Sequence, residues 1–430
     1  MKKLPLVGRL PESAILNEAL QTKEAEMIAI VGRRRVGKTY LVEQVYSDKI
    51  VFELTGSQRA SLKQQLGNFR NQLTIAAGAA LPLELPTDWH HAFLMLRQFL
   101  QSIDSREKYV IFFDELPWLS NSKSGFLEAL GYFWNSWASR QQLVIVLCGS
   151  AASWMLQKVV KDTGGLHNRI TRRIHLKPFT LAETEQFLSD RGILWDRYSI
   201  LQFYMVTGGI PHYLKEARPG KSPAQVIDQS CFSATGLLRD EFNNLYPALF
   251  RNATLHTSIV RTLFQEKSGM TRQELISKLH TTSGGSMTTA LDELEQSGFV
   301  NVYYPFGKKV RDKVWRLTDE YSLFYLQFIE DKLMQREHNW MNLMDSQSYK
   351  TWSGFAFENI CLQHLPQIKK ALGISGVYTE ASAFYKKGDD ESDGAQIDLI
   401  LERKDRVINL FEIKFYSDKL YFSPTELSKL

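Results

Sequence analysis

The chain has 430 residues, of which 44% are hydrophobic and 12% aromatic, so it can form about three packed domains. Its formal net charge of +5 permits a nucleic-acid partner without requiring one, and its three distant cysteines argue against a disulfide framework and against structural zinc. The apolar runs are too short for a signal peptide or a membrane span, so we expect a cytoplasmic protein with no membrane partner.

The first predicted strand, residues 27–31, runs directly into a phosphate-loop sequence. Residues 32–39 match the pattern GxxxxGK(S/T), and a helix follows. Gly32 and Gly37 let the backbone turn its N–H groups toward phosphates, Lys38 is expected to neutralise phosphate oxygens, and Thr39 to ligate Mg²⁺. The predicted nucleotide-binding residues of the loop are Gly32, Arg33, Arg34, Arg35, Val36, Gly37, Lys38, Thr39 and Tyr40. The sequence therefore predicts binding of ATP with Mg²⁺.

Three more strands are predicted, each a short apolar run between helix-length segments. They cover residues 49–54, 109–113 and 143–148. This alternation is typical of an α/β fold, a P-loop parallel sheet with helices on both faces. The second run ends in Asp114 and Glu115, which we expect to hold Mg²⁺ through water and to orient and deprotonate the attacking water, respectively. Ser150 follows the last run and is expected to sense the γ-phosphate or that water, an ordinary turn serine being the alternative.

Together these features resemble the archaeal-type ATPases within the signal-transduction ATPases with numerous domains, relatives of the AAA+ class. The resemblance covers about residues 4–215. The motifs that carry it are Val7-Gly8-Arg9, the phosphate loop, Phe113-Asp-Glu, Cys148-Gly-Ser and Gly208-Gly-Ile-Pro211-His-Tyr213. It implies that Gly8 and Arg9 lie near the base of the nucleotide and that a helical lid places Pro211 against it.

The same resemblance implies an arginine finger ahead of a strand at residues 174–179. Arg169 would be that finger, although a glycine more often precedes the arginine in the family. Arg172 or Arg173 could replace it, and ordinary solvated arginines are the alternative. A finger that acts across subunits would require a homo-oligomer.

Beyond the ATPase core (residues 1–180) and the helical lid (181–245), we predict a winged helix at 246–330. Three helices, near 254–265, from Thr271 onward and at 285–296, precede a hairpin at 298–317. The hairpin carries five basic residues and one acidic residue, Asp312, with aromatic residues interleaved among them. The basic residues are Lys308, Lys309, Arg311, Lys313 and Arg316. These charges predict contact with DNA phosphates, with the third helix in the major groove. Acidic residues on that helix leave protein docking or a solvated hairpin open.

The last predicted domain, residues 331–430, is a small α/β domain with Asp398 in a strand at 396–401 and Glu412 and Lys414 in a strand at 407–415. Alternation would place Glu412 and Lys414 on one face, where two carboxylates could gather a metal and the lysine could assist hydrolysis of a phosphodiester. All three residues have apolar sequence neighbours, an expensive setting for an unpaired charge. A half-exposed strand with ordinary surface charges is the alternative.

This spacing resembles the PD-(D/E)xK nuclease superfamily and the domain of unknown function that follows archaeal-type ATPases. The resemblance implies Mg²⁺ or Mn²⁺ held by Asp398, Glu412 and the helical acid Glu358, with Lys414 as a catalytic residue. Because the sequence stops sixteen residues after Lys414, we expect either a truncated domain or a fold that closes differently from other nucleases of this kind.

The sequence therefore predicts an ATP-hydrolysing switch that binds DNA and positions a metal-dependent nuclease on it. The alternative is a non-nucleolytic, ATP-regulated DNA- or protein-binding module with a degenerate nuclease domain. A signalling scaffold that recruits proteins is a third hypothesis.

Overall fold

The computed structural model describes residues 5–103, 107–120, 124–160, 166, 168–250, 252–281, 284–304, 313–330, 340–386 and 395–416. They form two compact units, Met1–Phe179 with Ile210–His212 and Thr180–Gly209 with Tyr213–Leu430. Four charged residues of the predicted hairpin, Lys308, Lys309, Arg311 and Asp312, lie outside the described residues. Within the described part of the chain, every helix is too short or too polar to cross a membrane.

A five-stranded parallel sheet in the order β2-β3-β4-β1-β5 forms the first unit. Its strands are β1 (Glu26–Val31), β2 (Ile50–Thr55), β3 (Tyr109–Asp114), β4 (Leu143–Gly149) and β5 (Arg172–His175). All residues of β1 and β4 are buried, as expected for strands covered on both faces. The predicted α/β fold is confirmed, and the first four strands lie within one residue of their predicted bounds.

The fifth strand differs from its prediction at residues 174–179. It starts two residues earlier and ends at His175, although the Leu176 N–H still donates to the Val31 carbonyl at 2.8 Å. Pro178 has no N–H to donate, so the ladder cannot continue through it.

Seven helices of the first unit flank this sheet. They are α1 (Leu10–Gln21), α2 (Lys38–Val45), α3 (Leu62–Ala76), α4 (Trp89–Ser102), α5 (Leu116–Leu119), α6 (Phe126–Ser136) and α7 (Ala152–Met155). Aromatic side chains join α3, α4 and α6 to the sheet: the Trp89 ring lies 4.7 Å from that of Phe126, and the Phe93 ring 5.9 Å from that of Phe113. Such pairs add to the burial energy and hold the end of β3 in place.

The second unit begins with helices on either side of the Gly-Gly-Ile-Pro segment. They are α8 (Leu181–Ser189), α9 (Arg197–Thr207), α10 (Pro211–Leu214), α11 (Pro223–Ile227) and α12 (Glu241–Leu249). Three helices and an antiparallel pair follow: α13 (Ala253–Gln265), α14 (Arg272–Lys278), α15 (Gly284–Gln296), β6 (Val300–Tyr303) and β7 (Val314–Leu317). The capping box expected at Thr271 is present, with Glu274 as its partner.

The rest of the second unit combines helices with a three-stranded antiparallel sheet in the order β10-β9-β8. Its elements are α16 (Glu320–Phe328), α17 (Trp340–Leu343), α18 (Gln347–Gln363), α19 (Leu365–Ala371), β8 (Thr379–Lys386), β9 (Ala395–Arg403) and β10 (Ile408–Phe411). Trp340 and Trp352 pack with Phe324 and Phe328 between α16, α17 and α18.

The last strand is shorter than the predicted 407–415. β10 ends at Phe411, which pairs with Leu399, so Glu412 and Lys414 lie beyond the strand. Next to Leu399 in β9, the side chain of Asp398 accepts a hydrogen bond from the Ile413 N–H at 2.8 Å. In a continued ladder, a backbone carbonyl of β9 would accept such a bond. A side-chain acceptor thus replaces backbone pairing at this point.

Candidate functional site

The predicted loop residues join the end of β1 to the start of α2. Gly32 adopts a φ of 157°, and an added Cβ would collide with the carbonyl oxygen of Leu176. Gly37 has a φ of 93° and immediately precedes α2, a conformation that side chains disfavour. The backbone therefore requires glycine at the two positions where the motif has it.

Lys38 is buried inside this loop. Its ammonium donates hydrogen bonds to the carbonyls of Gly32 at 2.9 Å and Arg33 at 3.0 Å, and the residue is 6% exposed. Burial lowers the pKa of Lys38, and the nearby Glu115 and Asp114 carboxylates oppose that shift. The cation is thus held in the concave side of the loop, next to two acidic groups.

Thr39 and Asp114 meet directly. The Thr39 hydroxyl donates to Asp114 Oδ2 at 2.5 Å, while Asp114 Oδ1 accepts the Glu115 N–H at 2.9 Å. Asp114 is 5% exposed at the carboxyl end of β3. A hydroxyl and a carboxylate in this arrangement are oxygen ligands of the kind that suits Mg²⁺.

Glu115 and Ser150 form a second pair at the same edge of the sheet. The Ser150 hydroxyl donates to Glu115 Oε2 at 2.8 Å, and the Ser150 N–H does so at 3.3 Å. Because β4 lies between β1 and β3, with Val31 level with Gly149, the residues that follow all three strands converge here. Lys38, Thr39, Asp114, Glu115 and Ser150 are thus brought together as the sequence predicts.

Gly56 is a residue of this site that the sequence reasoning missed. Its N–H donates to the Asp114 carbonyl at 2.9 Å, and an added Cβ would lie 2.5 Å from the Glu115 carbonyl oxygen. Glu115 itself has a φ of 46°, so the close approach of Gly56 accompanies a strained backbone at the acid. A glycine directly after the predicted strand at 49–54 was the available signal.

Arg9 lies against the phosphate loop from the amino-terminal side. Its Nη2 donates to the Val36 carbonyl at 3.3 Å, and its guanidinium carbon lies 4.7 Å from the Phe179 ring centroid. Gly8 and Arg9 both have left-handed backbones immediately before α1. Arg9 therefore contacts the phosphate loop, whereas its expected position near the base of the nucleotide stays a prediction, and Phe179 is a further contact that the sequence did not indicate.

The candidate arginine fingers differ in their surroundings. Arg169 is exposed in a turn, whereas Arg172 forms ion pairs with Glu18 at 2.9 Å and with Glu26 at 3.4 Å. The hydrogen bond to Glu18 raises the pKa of Arg172. Arg172 thus pairs with two carboxylates of the first unit in this structure, and the choice among the candidate fingers stays a prediction.

The Gly-Gly-Ile-Pro segment marks the boundary between the units. Gly208 ends α9 with a φ of 59°, and an added Cβ would lie 2.6 Å from Glu320 Oε2 in the second unit. Pro211 starts α10 and groups with the first unit, which carries the phosphate loop.

A cavity of about 900 Å³ in the second unit contains several of the residues predicted for the nuclease-like domain. Glu358, Asp398 and Lys414 all line it, whereas Glu412 does not. Among the residues that the structure describes, no three His, Cys, Asp or Glu side chains are grouped closely enough to hold a metal. The cavity therefore brings together three of the four predicted residues.

The charges around this cavity are paired with neighbours. Glu358 Oε1 accepts from Arg316 Nη1 of β7 at 2.8 Å, and both side chains are largely buried. Lys414 forms an ion pair with Glu412, and this hydrogen bond raises the pKa of Lys414. Of the three charges expected in apolar surroundings, only Asp398 is buried, since the side chains of Glu412 and Lys414 are 26% and 47% exposed.

Residues 6–217 match a protein family described as an ATPase domain predominantly from Archaea. An uncharacterized protein of Methanocaldococcus jannaschii is 22% identical over 418 residues, covering 95% of this chain and 87% of that protein. The Walker-type ATPase of Pyrococcus abyssi has a similar structure, with 16% identity and a TM-score of 0.57 over 75% of this chain and 96% of that one. The ORC2 protein of Aeropyrum pernix aligns with 15% identity and a TM-score of 0.47 over 78% and 96% of the two chains.

Proposed function

We propose that this chain, a P-loop ATPase that binds ATP, uses its nucleotide state to control a DNA-binding and DNA-cleaving second unit. The nucleotide part of the proposal rests on the phosphate loop with its buried Lys38, and on the Thr39–Asp114 and Glu115–Ser150 pairs beside it. The DNA part rests on a cavity that is lined by Glu358, Asp398 and Lys414 together.

In the ATPase site, Thr39 and Asp114 would hold Mg²⁺, which supplies charge neutralisation at the phosphates. The loop N–H groups and Lys38 bind and orient the triphosphate. Glu115 accepts the proton of the attacking water, and Ser150 positions that carboxylate through its two hydrogen bonds. Arg169 is the proposed finger, since it is exposed in a turn of the first unit.

Residues 246–330 are proposed to be a winged helix that contacts DNA. Glu293 of its third helix lies 2.7 Å from His256 Nε2, so one of the acidic groups there is engaged within the protein. Arg316 is engaged with Glu358, and the Lys313 ammonium lies 4.6 Å from the Trp315 ring. Phosphate contact would therefore depend on Lys313 and on the basic residues of the hairpin outside the described residues.

DNA binding through the hairpin is tested with Lys308, Lys309, Arg311 and Lys313 all changed to Gln. The logarithm of the affinity falls as the logarithm of the salt concentration rises, and each lost phosphate contact reduces the steepness of this fall by about 0.9. The control variant changes Lys369 and Lys370 to Gln, because these two neighbouring lysines of α19 lie outside the hairpin. An unchanged salt slope in the hairpin variant would remove the hairpin from the proposal.

In the cavity, Asp398 and Glu358 would hold Mg²⁺ or Mn²⁺, which supplies a Lewis acid for the phosphodiester. This assignment requires that Glu358 be released from Arg316 when the ion binds. A lysine is protonated at neutral pH, so we assign Lys414 to stabilising negative charge on the phosphate rather than to accepting a proton.

Nuclease activity is tested by incubating the wild-type protein with DNA and Mg²⁺ or Mn²⁺, with and without ATP. Cleavage is expected, and Asp398→Asn and Lys414→Ala are each expected to abolish it. Lys404→Ala, an exposed lysine above the Tyr378 ring, is the matched control and should cleave like wild type.

The second candidate function is a non-nucleolytic, ATP-regulated binding module. It is favoured by the ion pair that Glu358 already makes with Arg316 and by the position of Glu412 outside the cavity lining. DNA that is bound in an ATP-dependent manner but never cut, whichever metal is supplied, would establish this function and dismiss the nuclease.

A further inference from the structure

Among the described residues that line the cavity of the second unit, five have aromatic side chains. They are Tyr198, Tyr349, Phe355, Phe415 and Tyr416. The rings of Tyr198 and Phe415 are parallel within 4°, with centroids 5.4 Å apart, and the Phe415 ring also lies 5.7 Å from that of Phe357. Tyr416 is 49% exposed. Flat rings are therefore present both within the cavity wall and at its solvent side.

Polar groups alternate with these rings. Lys350 and Lys414 supply two cations, of which Lys414 is paired with Glu412, and the Gln202 amide donates to the Tyr349 hydroxyl at 3.1 Å. The acidic groups of the lining are Asp345, Asp398 and Glu358, the last compensated by Arg316. Aromatic faces together with separated cations are the combination that binds bases and backbone phosphates of an unpaired strand.

Base pairing decides which nucleic acid can use such rings. In a duplex the base faces are covered by their neighbours in the stack, so side chains cannot stack on them without extruding a base. An unpaired strand presents its faces freely, and base–aromatic stacking stabilises it by about 1–3 kcal/mol per base. A volume of about 900 Å³ is ample for small organic groups of nucleotide size.

We infer that this cavity binds unpaired nucleotides of a DNA strand, with Tyr198 and Phe415 as the stacking platform and Lys350 near the backbone. The inference rests on the proposed role of this cavity in DNA cleavage and specifies the substrate as single-stranded or locally opened DNA. Tyr198 and Phe415 are positioning residues in this scheme, since they orient the strand beside Asp398 and Lys414.

The test measures binding without cleavage. A short single-stranded oligonucleotide containing 2-aminopurine is titrated with the full chain in EDTA, and the same strand is then titrated as a duplex. Stacking on the cavity rings is expected to quench the 2-aminopurine fluorescence of the single strand, whereas bound duplex, whose bases stay stacked on one another, is expected to leave the fluorescence unchanged. Tyr198→Leu should weaken binding of the single strand about tenfold, whereas Tyr198→Phe should bind like wild type.

Tyr378→Leu is the matched control, because Tyr378 is 58% exposed in the same unit and does not line the cavity. Equal quenching by single strand and duplex, or an unquenched probe in the wild-type protein, would overturn the inference even if Tyr198→Leu did not fold. Divalent metal is absent throughout, so a failure of the nuclease proposal leaves this result interpretable. Cleavage of fully paired DNA without single-strand binding would support the nuclease and overturn the inference alone.

Discussion

Glu115 lies one residue beyond β3 with a left-handed backbone, and its carboxylate accepts two hydrogen bonds from Ser150. The strained φ of 46° directs this acid away from the strand and toward the phosphate loop. Such conformations persist where the surroundings enforce them, and here Gly56 and Ser150 do so. The geometry assigns the two acids separate roles, Asp114 beside Thr39 and Glu115 beside Ser150.

The first residue-scale prediction concerns Glu115→Gln. Because Gln keeps the size and one acceptor oxygen but cannot take a proton from water, ATP binding should be retained while hydrolysis falls by about 10²–10⁴-fold. ATP affinity and phosphate release are measured separately. Glu128→Gln, an exposed carboxylate on α6, should hydrolyse ATP at the wild-type rate. Unchanged hydrolysis in Glu115→Gln would show that another group activates the water.

The second residue-scale prediction concerns Gly32→Ala. The added Cβ would collide with the Leu176 carbonyl, a backbone atom that cannot move aside, so we expect a loss of about 1–3 kcal/mol in unfolding free energy. Gly67→Ala in α3 meets nothing within 4 Å and should stabilise by about 0.5–1 kcal/mol. Denaturant unfolding of both variants measures the contrast, and equal shifts would contradict the steric argument.

At the scale of elements, His364 joins the end of α18 to the start of α8. Its Nε2 accepts the Leu181 N–H at 3.0 Å, and its Nδ1 faces the Ile360 carbonyl at 2.8 Å, so the neutral ring with a proton on Nδ1 satisfies both contacts. Burial lowers the pKa of His364, although the Ile360 carbonyl and Glu183 act in the opposite direction. The Tyr204 ring packs against it at 5.7 Å.

This contact predicts a pH dependence. The lowered pKa means that the folded protein favours the neutral ring of His364. The stabilisation of the fold by this ring is therefore fully present above pH 6.5, the pKa of histidine in the unfolded chain, and is lost as the pH falls through the lower pKa of the folded protein. His364→Gln should lower the unfolding free energy by about 1 kcal/mol near pH 7.5 and by less near pH 5. Thermal unfolding across this range measures the difference.

The matched control for His364 is His90→Gln, an exposed histidine in the first unit. Its effect on stability should be small and constant over the same range of pH. If the effect of His364→Gln on the unfolding free energy grew toward acidic pH, this trend would be opposite to the expected one and would refute the assigned neutral tautomer.

At the scale of the whole molecule, α9 leads along the chain from residues that line the cavity to the segment Ile210–His212. Tyr198 and Gln202 on its first half line the cavity, and its last residues lead through Gly208 into Ile210–His212, which group with the phosphate-loop unit. A helix that is continuous between these points can transmit a change at one end to the other, because packed elements move as units rather than deform.

The prediction at this scale is coupling between ATP and strand binding. The Glu115→Gln protein held with ATP should differ from the ADP-bound protein in single-strand affinity by at least about fivefold, and the strand should change ATP affinity by the same factor. Fluorescence titrations of both ligands measure the two factors. Lys38→Ala should abolish the difference, and identical affinities in both nucleotide states would exclude coupling through α9.

The sequence by itself determined the nucleotide site and the α/β sheet, because each depends on local signals. Each motif is read within a few residues: Gly32 and Gly37 directly follow one buried strand, and Asp114-Glu115 lie at the end of another. The carboxyl ends of parallel strands meet at one edge, so these separate motifs predicted one site without coordinates.

Only the tertiary structure decided how the remaining charges are used. Arg172 forms ion pairs with Glu18 and Glu26, and Arg316 forms one with Glu358. The Asp398 side chain accepts a hydrogen bond from the Ile413 N–H, whereas Glu412 does not line the cavity. These pairings join residues up to 154 positions apart, and charge placement along the chain does not reveal which partner is near. Long-range packing selects the partner of each of these charges, because burial favours a charge that is paired.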